Sequence, residues 1–523
     1  MEQIETDSGQ EANKTNSVRP GGLSHTLSEL FEHLHPDVRH ATRIFDTKGA
    51  AVSEEGVKAK REQLQENDIG YRDRVLVSSD AGIVSVEWFI AVWSLGAVLI
   101  PVDIQVSEET LQNIVEDSQA IALCHSSTGK ISKFASGLRE SGKFLFEQAA
   151  RVTGVDLALI IYTSGSTGKP KGIMLTHTNV LTALRAISTY LELNSGDVIL
   201  AIPPLHFDYG LYQVLFAFHA NCTTVLSIGT FSPTALVAAI ERFHPTVVPV
   251  VPAIGQIVAK TLAAFKRAAQ SVRLVTNTGG HLPIGTINAL HAAFPNAAVM
   301  PMYGLTESKR ALFLSIDETE RRPGSVGKPM PGLDARVFIE VVRPDGRIVY
   351  QEARAGQVGM LYVRGSSVMQ GYVNDASGAG ARLIGGDYRD DNWLSTGDLF
   401  YTDEDGFLYF HGRDKDLIKQ AGYCLYPREI EQCVERCEDV IAAIVIGGTD
   451  AGGDEIAELF VQLQPGCTIA ALQTWIDAHL DRTIRPRRMQ LIENWPLTPN
   501  GKIDRKQLRQ DSIQSAASGK AQV

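Results

Sequence analysis

Cysteine is scarce in this chain: six among 523 residues, at positions 124, 222, 424, 433, 437 and 467. Cys433 and Cys437 lie one helical turn apart, but no CxxC pair or Cys/His ligand set accompanies them. That excludes a disulfide scaffold and a zinc module, and predicts reduced thiols in a cytoplasm. Basic charge is short as well. Forty-nine Lys+Arg against 60 Asp+Glu leave −11, with no long run of either sign. A chain that wraps nucleic acid needs clustered cations to neutralise phosphates, so that class is excluded. Long apolar runs are missing too. The longest, Ser85 to Val102, carries Glu87 and Gly96, which predicts a core helix and no membrane span. Residues 1–20 lack the apolar segment of a secretory signal, and the terminal Ala-Gln-Val is neither a peroxisomal nor a prenylation address. The expectation is a cytoplasmic protein with no membrane or nucleic-acid partner.

What is present is the balance of a globular protein, 44% hydrophobic and 21% charged, with chain enough for three or four units of about 150 residues. Polar flexible tails are expected at 1–24 and 511–523. From Val155 to Gly304, apolar runs alternate with helical patterns. Strands are predicted at Leu157–Tyr162, Val198–Ile202, Thr223–Ile228, Thr246–Val251, Arg273–Thr276 and Ala298–Met302. Helices are predicted at Thr178–Leu193, Tyr209–Ala220 and Pro233–Phe243, the last opened by Ser232 as cap and Pro233 at the first helical position. Such alternation argues for parallel sheets with helices on their faces. After about Ser308, strands such as Ala335–Val342, Gly359–Arg364 and Phe407–Gly412 are separated by Asp-Gly turns, predicting a small, mostly antiparallel, barrel-like unit. From 413 to 510 a small α+β domain follows: helix Arg428–Cys437, strands Ile441–Ile446 and Glu458–Gln464, helix Ala470–Leu480. The fold class is therefore α/β, with a large N-terminal domain over 25–412 and a small C-terminal one over 413–510.

The stretch Tyr162-Thr-Ser-Gly-Ser-Thr-Gly-Lys-Pro-Lys-Gly172 follows an apolar strand and precedes a helical segment. Gly165, Gly168 and Gly172 let backbone approach an anion closely. Thr163, Ser164, Ser166 and Thr167 add hydroxyls, and Lys169 and Lys171 add positive charge. Pro170 stands where a Walker A loop needs a magnesium-binding hydroxyl, so this is not that motif. The alternative is a flexible surface loop.

This loop resembles the phosphate loop of the adenylate-forming superfamily, which comprises acyl-CoA synthetases, peptide-synthetase adenylation domains and beetle luciferases. Four further segments, in order, resemble its other motifs: Met302-Tyr-Gly-Leu-Thr-Glu-Ser308, Ser395-Thr-Gly-Asp398, Gly412-Arg413 continuing to Gly422, and Pro499-Asn-Gly-Lys-Ile-Asp504. The resemblance implies that the chain joins a carboxylate to the α-phosphate of ATP, expels pyrophosphate, and passes the acyl group to a thiol. It implies ATP and Mg²⁺ as cofactors, with Gly279, Gly280, Met302, Tyr303 and Gly304 around the nucleotide. Glu307 and Thr163 are the metal candidates, since hard oxygens suit Mg²⁺. It further assigns Thr306 to the α-phosphate, Tyr303 to adenine, and Asp398 and Arg413 to ribose. Lys502 becomes the catalytic lysine, a point charge between carboxylate and phosphate. Lys415 falls at the hinge of a rotating C-terminal domain, and Gly422 beside a pantetheine channel. Taken alone, Asp398 and Arg413 read equally as a surface ion pair, Glu307 as a metal-free carboxylate, and Lys502 as a solvated turn lysine.

The acid is less determined. His206, Phe207, Asp208, Tyr212, Thr278 and Arg310 should line its pocket. Asp208 falls where adenylation domains of peptide synthetases place the carboxylate that binds an amino acid's ammonium. Two charges about 4 Å apart at an effective dielectric of ~20 attract by roughly 4 kcal/mol. The rival partner is Arg310, which would neutralise Asp208 and leave a non-amino acid as substrate. The first reading favours an amino acid and an acyl or peptidyl carrier protein bearing phosphopantetheine. The second favours a small carboxylic acid and CoA. Arg485, Arg487 and Arg488 could meet a CoA phosphate or an acidic carrier helix, or form a solvated turn. A luciferase-like monooxygenase and a silent binding homologue remain open. Retention of Lys169, Lys171, Glu307, Asp398, Arg413 and Lys502 argues against silence.

Overall fold

The computed structural model describes residues 24–32, 43–79, 82–103, 105–134, 151–164, 170–227, 232–374, 382–385, 388, 391–450, 453–498 and 502–517. Apolar strands flanked by amphipathic helices pair into two parallel cores. The first is a seven-stranded sheet in the order Gly371–Tyr372, Pro170–Thr176, Leu157–Ser164, Val98–Val102, Arg74–Ser78, Ala122–His125, Lys130–Lys133. Its central strands are parallel and its outer pairs antiparallel. Helix Ile83–Ser94 packs on it with Trp88, Phe89 and Trp93 fully buried. Each such side chain contributes about 1.5–3 kcal/mol of burial, and the Trp93 indole N–H donates to Ala158 O at 2.8 Å. This is the core helix predicted inside the longest apolar run. Among the described residues no helix is long and apolar enough to cross a membrane.

The second sheet begins as a parallel run: Ile44–Asp46, Thr223–Leu226, Val198–Ala201, Val247–Val250, Leu274–Asn277, Ala298–Leu305. It continues antiparallel through Lys309–Phe313, Ser325–Pro329, Leu408–Arg413, Asn392–Thr402, Gly359–Gly365, Leu333–Val342 and Ile348–Glu352. The antiparallel unit expected after Ser308 is thus joined edge-on to the parallel strands. Helix Pro233–Phe243 starts as predicted, with Ser232 Oγ accepting from the Ala235 N–H. Helix His177–Tyr190 is set by a reciprocal capping box between Thr176 and Asn179.

The phosphate loop leads on through a strand that was not foreseen. It does not lead directly from strand to helix, because Pro170–Thr176 is itself a strand, antiparallel to Leu157–Ser164. The apolar run Ile173-Met174-Leu175 pairs with its neighbour before the helix begins, so a strand intervenes between the loop and the helix. Gly165, Ser166, Thr167, Gly168 and Lys169, and the side chain of Ser164, lie outside the described residues.

The C-terminal unit has a three-stranded sheet, Val440–Thr449, Glu455–Leu463 and Arg488–Leu491, carrying helices Pro427–Val434 and Ile469–His479. The last helix, Arg505–Ala517, runs past residue 510, so the tail expected from 511 is helical as far as Ala517. The unit meets the large sheet through His281 Nε2 and Glu435 Oε2, 3.1 Å apart. Burial opposes ionisation of Glu435, yet His281 and Arg428 hold its carboxyl below the usual range.

Candidate active site

Four features converge on one cavity: the start of helix Asp208–His219, the turn after strand Leu274–Asn277, the hairpin Ala298–Phe313, and Lys502 from the C-terminal unit. The cavity volume is about 40 Å³, lined by Phe207, Asp208, Thr278, Thr306, Arg310 and Lys502 among others. Residues predicted from four distant stretches therefore meet.

Each is placed by local chemistry. Asp208 opens its helix, where the dipole favours a carboxylate. The turn before it is tight, because a Cβ on Gly210 would come 2.2 Å from Pro204 O. His206 Nδ1 lies 3.1 Å from Ser79 Oγ. Tyr212 is buried and its hydroxyl donates to Val180 O at 3.2 Å. Gly279 has φ +81°, and a Cβ there would stand 3.0 Å from Lys502 Cε. Gly280 faces the Pro252 ring. Lys502 Nζ sits 5.1 Å from the centroid of the Phe207 ring. Burial lowers the Lys502 pKa, with Asp208 the foremost group opposing the shift.

The hairpin carries a β-bulge between Tyr303 and Gly304. A Cβ at Gly304 would fall 2.1 Å from Lys309 O, so only glycine permits this approach. Met302 is buried and its sulfur accepts from the Tyr190 hydroxyl at 3.3 Å. Tyr303 packs against Phe400 at 4.9 Å, and its hydroxyl donates to Asp398 Oδ2 at 2.6 Å. Asp398 Oδ1 pairs with Arg413 Nε at 3.2 Å, the two residues facing each other across adjacent strands. Asp398 is buried, which raises its pKa against the pull of Arg413. The Asp398–Arg413 pair is therefore real, but its carboxylate is no surface group.

Glu307 was predicted as a metal ligand, and its partners were not foreseen. Oε1 accepts from the Tyr372 hydroxyl and from Arg382 Nη1, each at 2.7 Å. Burial beside Glu307 pushes the Tyr372 hydroxyl up to about 12, and Lys171 Nζ lies 5.3 Å from that ring. Among the described residues no group of three His, Cys, Asp or Glu could hold a metal. One carboxylate with a second oxygen to spare fits Mg²⁺, which keeps waters and phosphate oxygens as its other ligands. Thr163 is half-buried on the adjoining hairpin, opposite Lys171.

The alternative partnership of Asp208 with Arg310 does not form. Asp208 Oδ2 instead meets Lys309 Nζ at 3.6 Å. The cause is backbone: Lys309 adopts φ +67° at the hairpin turn, and both Lys309 and Arg310 line the cavity where a regular strand would send neighbours to opposite faces. Arg310 lies between aromatic rings, 4.9 Å from Tyr209 and 5.6 Å from Phe216. Two of the three arginines of the basic cluster are committed internally, Arg485 to Asp477 at 2.7 Å and Arg488 to buried Glu458, while Arg487 is exposed. Lys415 sits in the short turn Asp414–Asp416, directly after the strand bearing Arg413. Gly422 has φ +85° and open space beside it.

A cavity between a large α/β body and a small unit that contributes Lys502, beside the Tyr303–Asp398–Arg413 cluster, is the arrangement of an ATP-using, adenylate-forming type of enzyme. The chain belongs to the AMP-binding enzyme family, whose model matches residues 57–373, and the family's C-terminal domain model matches 429–502. It is an AMP-forming acid–thiol ligase. A long-chain-fatty-acid–CoA ligase of Bacillus subtilis is 28% identical over 76% of this chain and 69% of its own length. A sulfoacetate–CoA ligase of Cupriavidus necator is 33% identical over 67% of this chain and 66% of its own. The fold is shared with ATP-bound MatB from Rhodopseudomonas palustris, with TM-score 0.76 and 24% identity over 94% of this chain and 99% of that one.

Proposed function

We propose that the chain converts a small carboxylic acid to its CoA thioester through an acyl-adenylate. The observation that carries this reading is Lys502: a lysine from the C-terminal unit, buried in the cavity between Phe207 and Gly279. A buried ammonium there serves a reaction that brings two anions together, because it offsets their repulsion where charge develops. The carboxylate oxygen attacks the α-phosphorus, the bond to the β-phosphate breaks, and pyrophosphate leaves. Lys502 and Thr306 hold the reacting oxygens. Asp398 and Arg413 hold the ribose, and Tyr303 sits beside the adenine. Thr163 and Lys171, opposite each other on adjoining strands, serve the phosphates. Glu307, fixed by Arg382 and Tyr372, would hold Mg²⁺, which would supply positive charge against the phosphates.

For the second step, residues 413–510 act as the moving unit on the body of 25–412, turning at Lys415 so that Gly422 lines the thiol's path. The thiolate attacks the acyl carbon and AMP leaves. The acceptor is CoA. The relatives named above are CoA ligases, and two of the three arginines that could have met an acidic carrier helix, Arg485 and Arg488, are held by Asp477 and Glu458. The amino-acid reading loses its support in the same way, since the ammonium facing Asp208 is supplied by Lys309. Six free cysteines fit a cytoplasmic setting. The test is product analysis with ATP, Mg²⁺, CoA and a panel of acids. Acyl-CoA formation in step with AMP supports the reading, and transfer to a carrier protein but not to CoA refutes it.

A further inference from the structure

The acid cavity holds more positive charge than its own carboxylate balances. Asp208 is matched by Lys309, a side chain only 2% exposed. Arg310 is 5% exposed, and its Nη1 has no hydrogen-bond partner. Lys309 Nζ likewise makes no hydrogen bond and touches Asp208 only as an ion pair at 3.6 Å. The other buried carboxylates nearby are already engaged, Glu307 by Arg382 and Asp398 by Arg413. The rings of Tyr209 and Phe216 soften the burial of the guanidinium through their faces. They accept no N–H in the plane of the fork, and a buried donor without an acceptor is costly. Hence the missing partner is an anion that arrives with the ligand. The reacting carboxylate belongs to Lys502 and Thr306, so this anion is a second one.

We infer that the acid activated here is short and carries a second anionic group, a carboxylate or a sulfonate, seated against Arg310. This rests on the acid-activation reading above and names its substrate class. A cavity of about 40 Å³ limits the chain to a few carbons. A planar guanidinium binds a carboxylate or sulfonate through two parallel N–H donors, which an ammonium cannot do.

Pyrophosphate exchange is measured on the intact enzyme with matched acids, malonate and sulfoacetate against propanoate, and succinate against butanoate. The ratio of kcat/KM within each pair reads the second anion directly and needs no variant. The expected preference for the doubly anionic acid is about 10- to 100-fold, the value of a hydrogen bond to a charged group. In Arg310→Met that preference collapses through KM for the doubly anionic acids, and the ratio within each pair falls towards one. Arg310→Lys restores part of it. Equal or better exchange with propanoate and butanoate in the native enzyme overturns the inference and leaves acid activation standing. No exchange with any of these acids, while ATP binding persists by calorimetry, also overturns it. Absence of ATP binding counts instead against the adenylation reading on which it rests.

Discussion

Replacing Gly279 with alanine sets a methyl group 3.0 Å from Lys502 Cε at a backbone position with φ +81°. The left-handed conformation costs an L-residue about 1–2 kcal/mol. The contact is tighter than ordinary van der Waals distance, so the lysine stem or the turn must give by a few tenths of an ångström. Complete loss of a positioned transition-state donor slows a reaction roughly 10²–10³-fold. A displaced but present ammonium should fall short of that, about 10- to 100-fold. The cost is specific to the state in which Lys502 occupies the cavity. If the C-terminal unit turns away for the second step, thiolysis of a supplied acyl-adenylate by CoA keeps its native rate in Gly279→Ala. Rapid-quench measurement of both half-reactions separates them. An equal loss in both, or no loss in adenylation, would refute the reasoning.

Asp208→Asn leaves Lys309 buried without its counter-charge, so the variant should lose about 3 kcal/mol in denaturant unfolding. Adding Lys309→Met should recover much of that loss, because both charges are then gone. Lys502 acts as a cation and burial lowers its pKa, so adenylation should decline as pH rises through a value below the ordinary lysine range. A pH–rate profile of the first half-reaction checks this, and Lys502→Arg should move the decline to higher pH. Glu435→Gln removes the carboxylate that meets His281 at 3.1 Å. Adenylation should then slow a few-fold from the lost His281 contact, with thiolysis unchanged in stopped-flow assays, while the lost pairing with buried Arg428 at 3.2 Å lowers stability in denaturant unfolding. Asp398 is raised by burial, so ATP affinity should fall on the acid side above the usual aspartate range, as calorimetry at several pH values would show.

The α/β class was legible because parallel strands buried on both faces read as apolar runs, as in Val247–Val250 and Val198–Ala201. Tyr303, Glu307, Asp398 and Lys502 were legible from short motifs, although nothing in their spacing places them within one cleft. What escaped was set by backbone geometry and distant pairing. The pairing of Lys309 with Asp208 was not foreseen, because a regular hairpin would point Lys309 away from its neighbour Arg310. Only the bulge at Gly304 and the positive φ bring both to the cavity. Tyr372 and Arg382 carry no motif, and they reach Glu307 across 65 and 75 residues of sequence. The strand Pro170–Thr176 was hidden by its place beside a glycine-rich loop and a well-capped helix.

The central claim is that ATP is cleaved to AMP and pyrophosphate to drive thioester formation. One chromatographic experiment addresses it: the enzyme with ATP, Mg²⁺, CoA and the acid that supports exchange, followed for nucleotide and acyl products. The account predicts AMP, pyrophosphate and acyl-CoA in equal amounts, none of them without the acid, and a loss of about 10²–10³ in rate for Lys502→Ala. ADP and phosphate as products, or AMP released with no acyl-CoA while CoA is in excess, would contradict it.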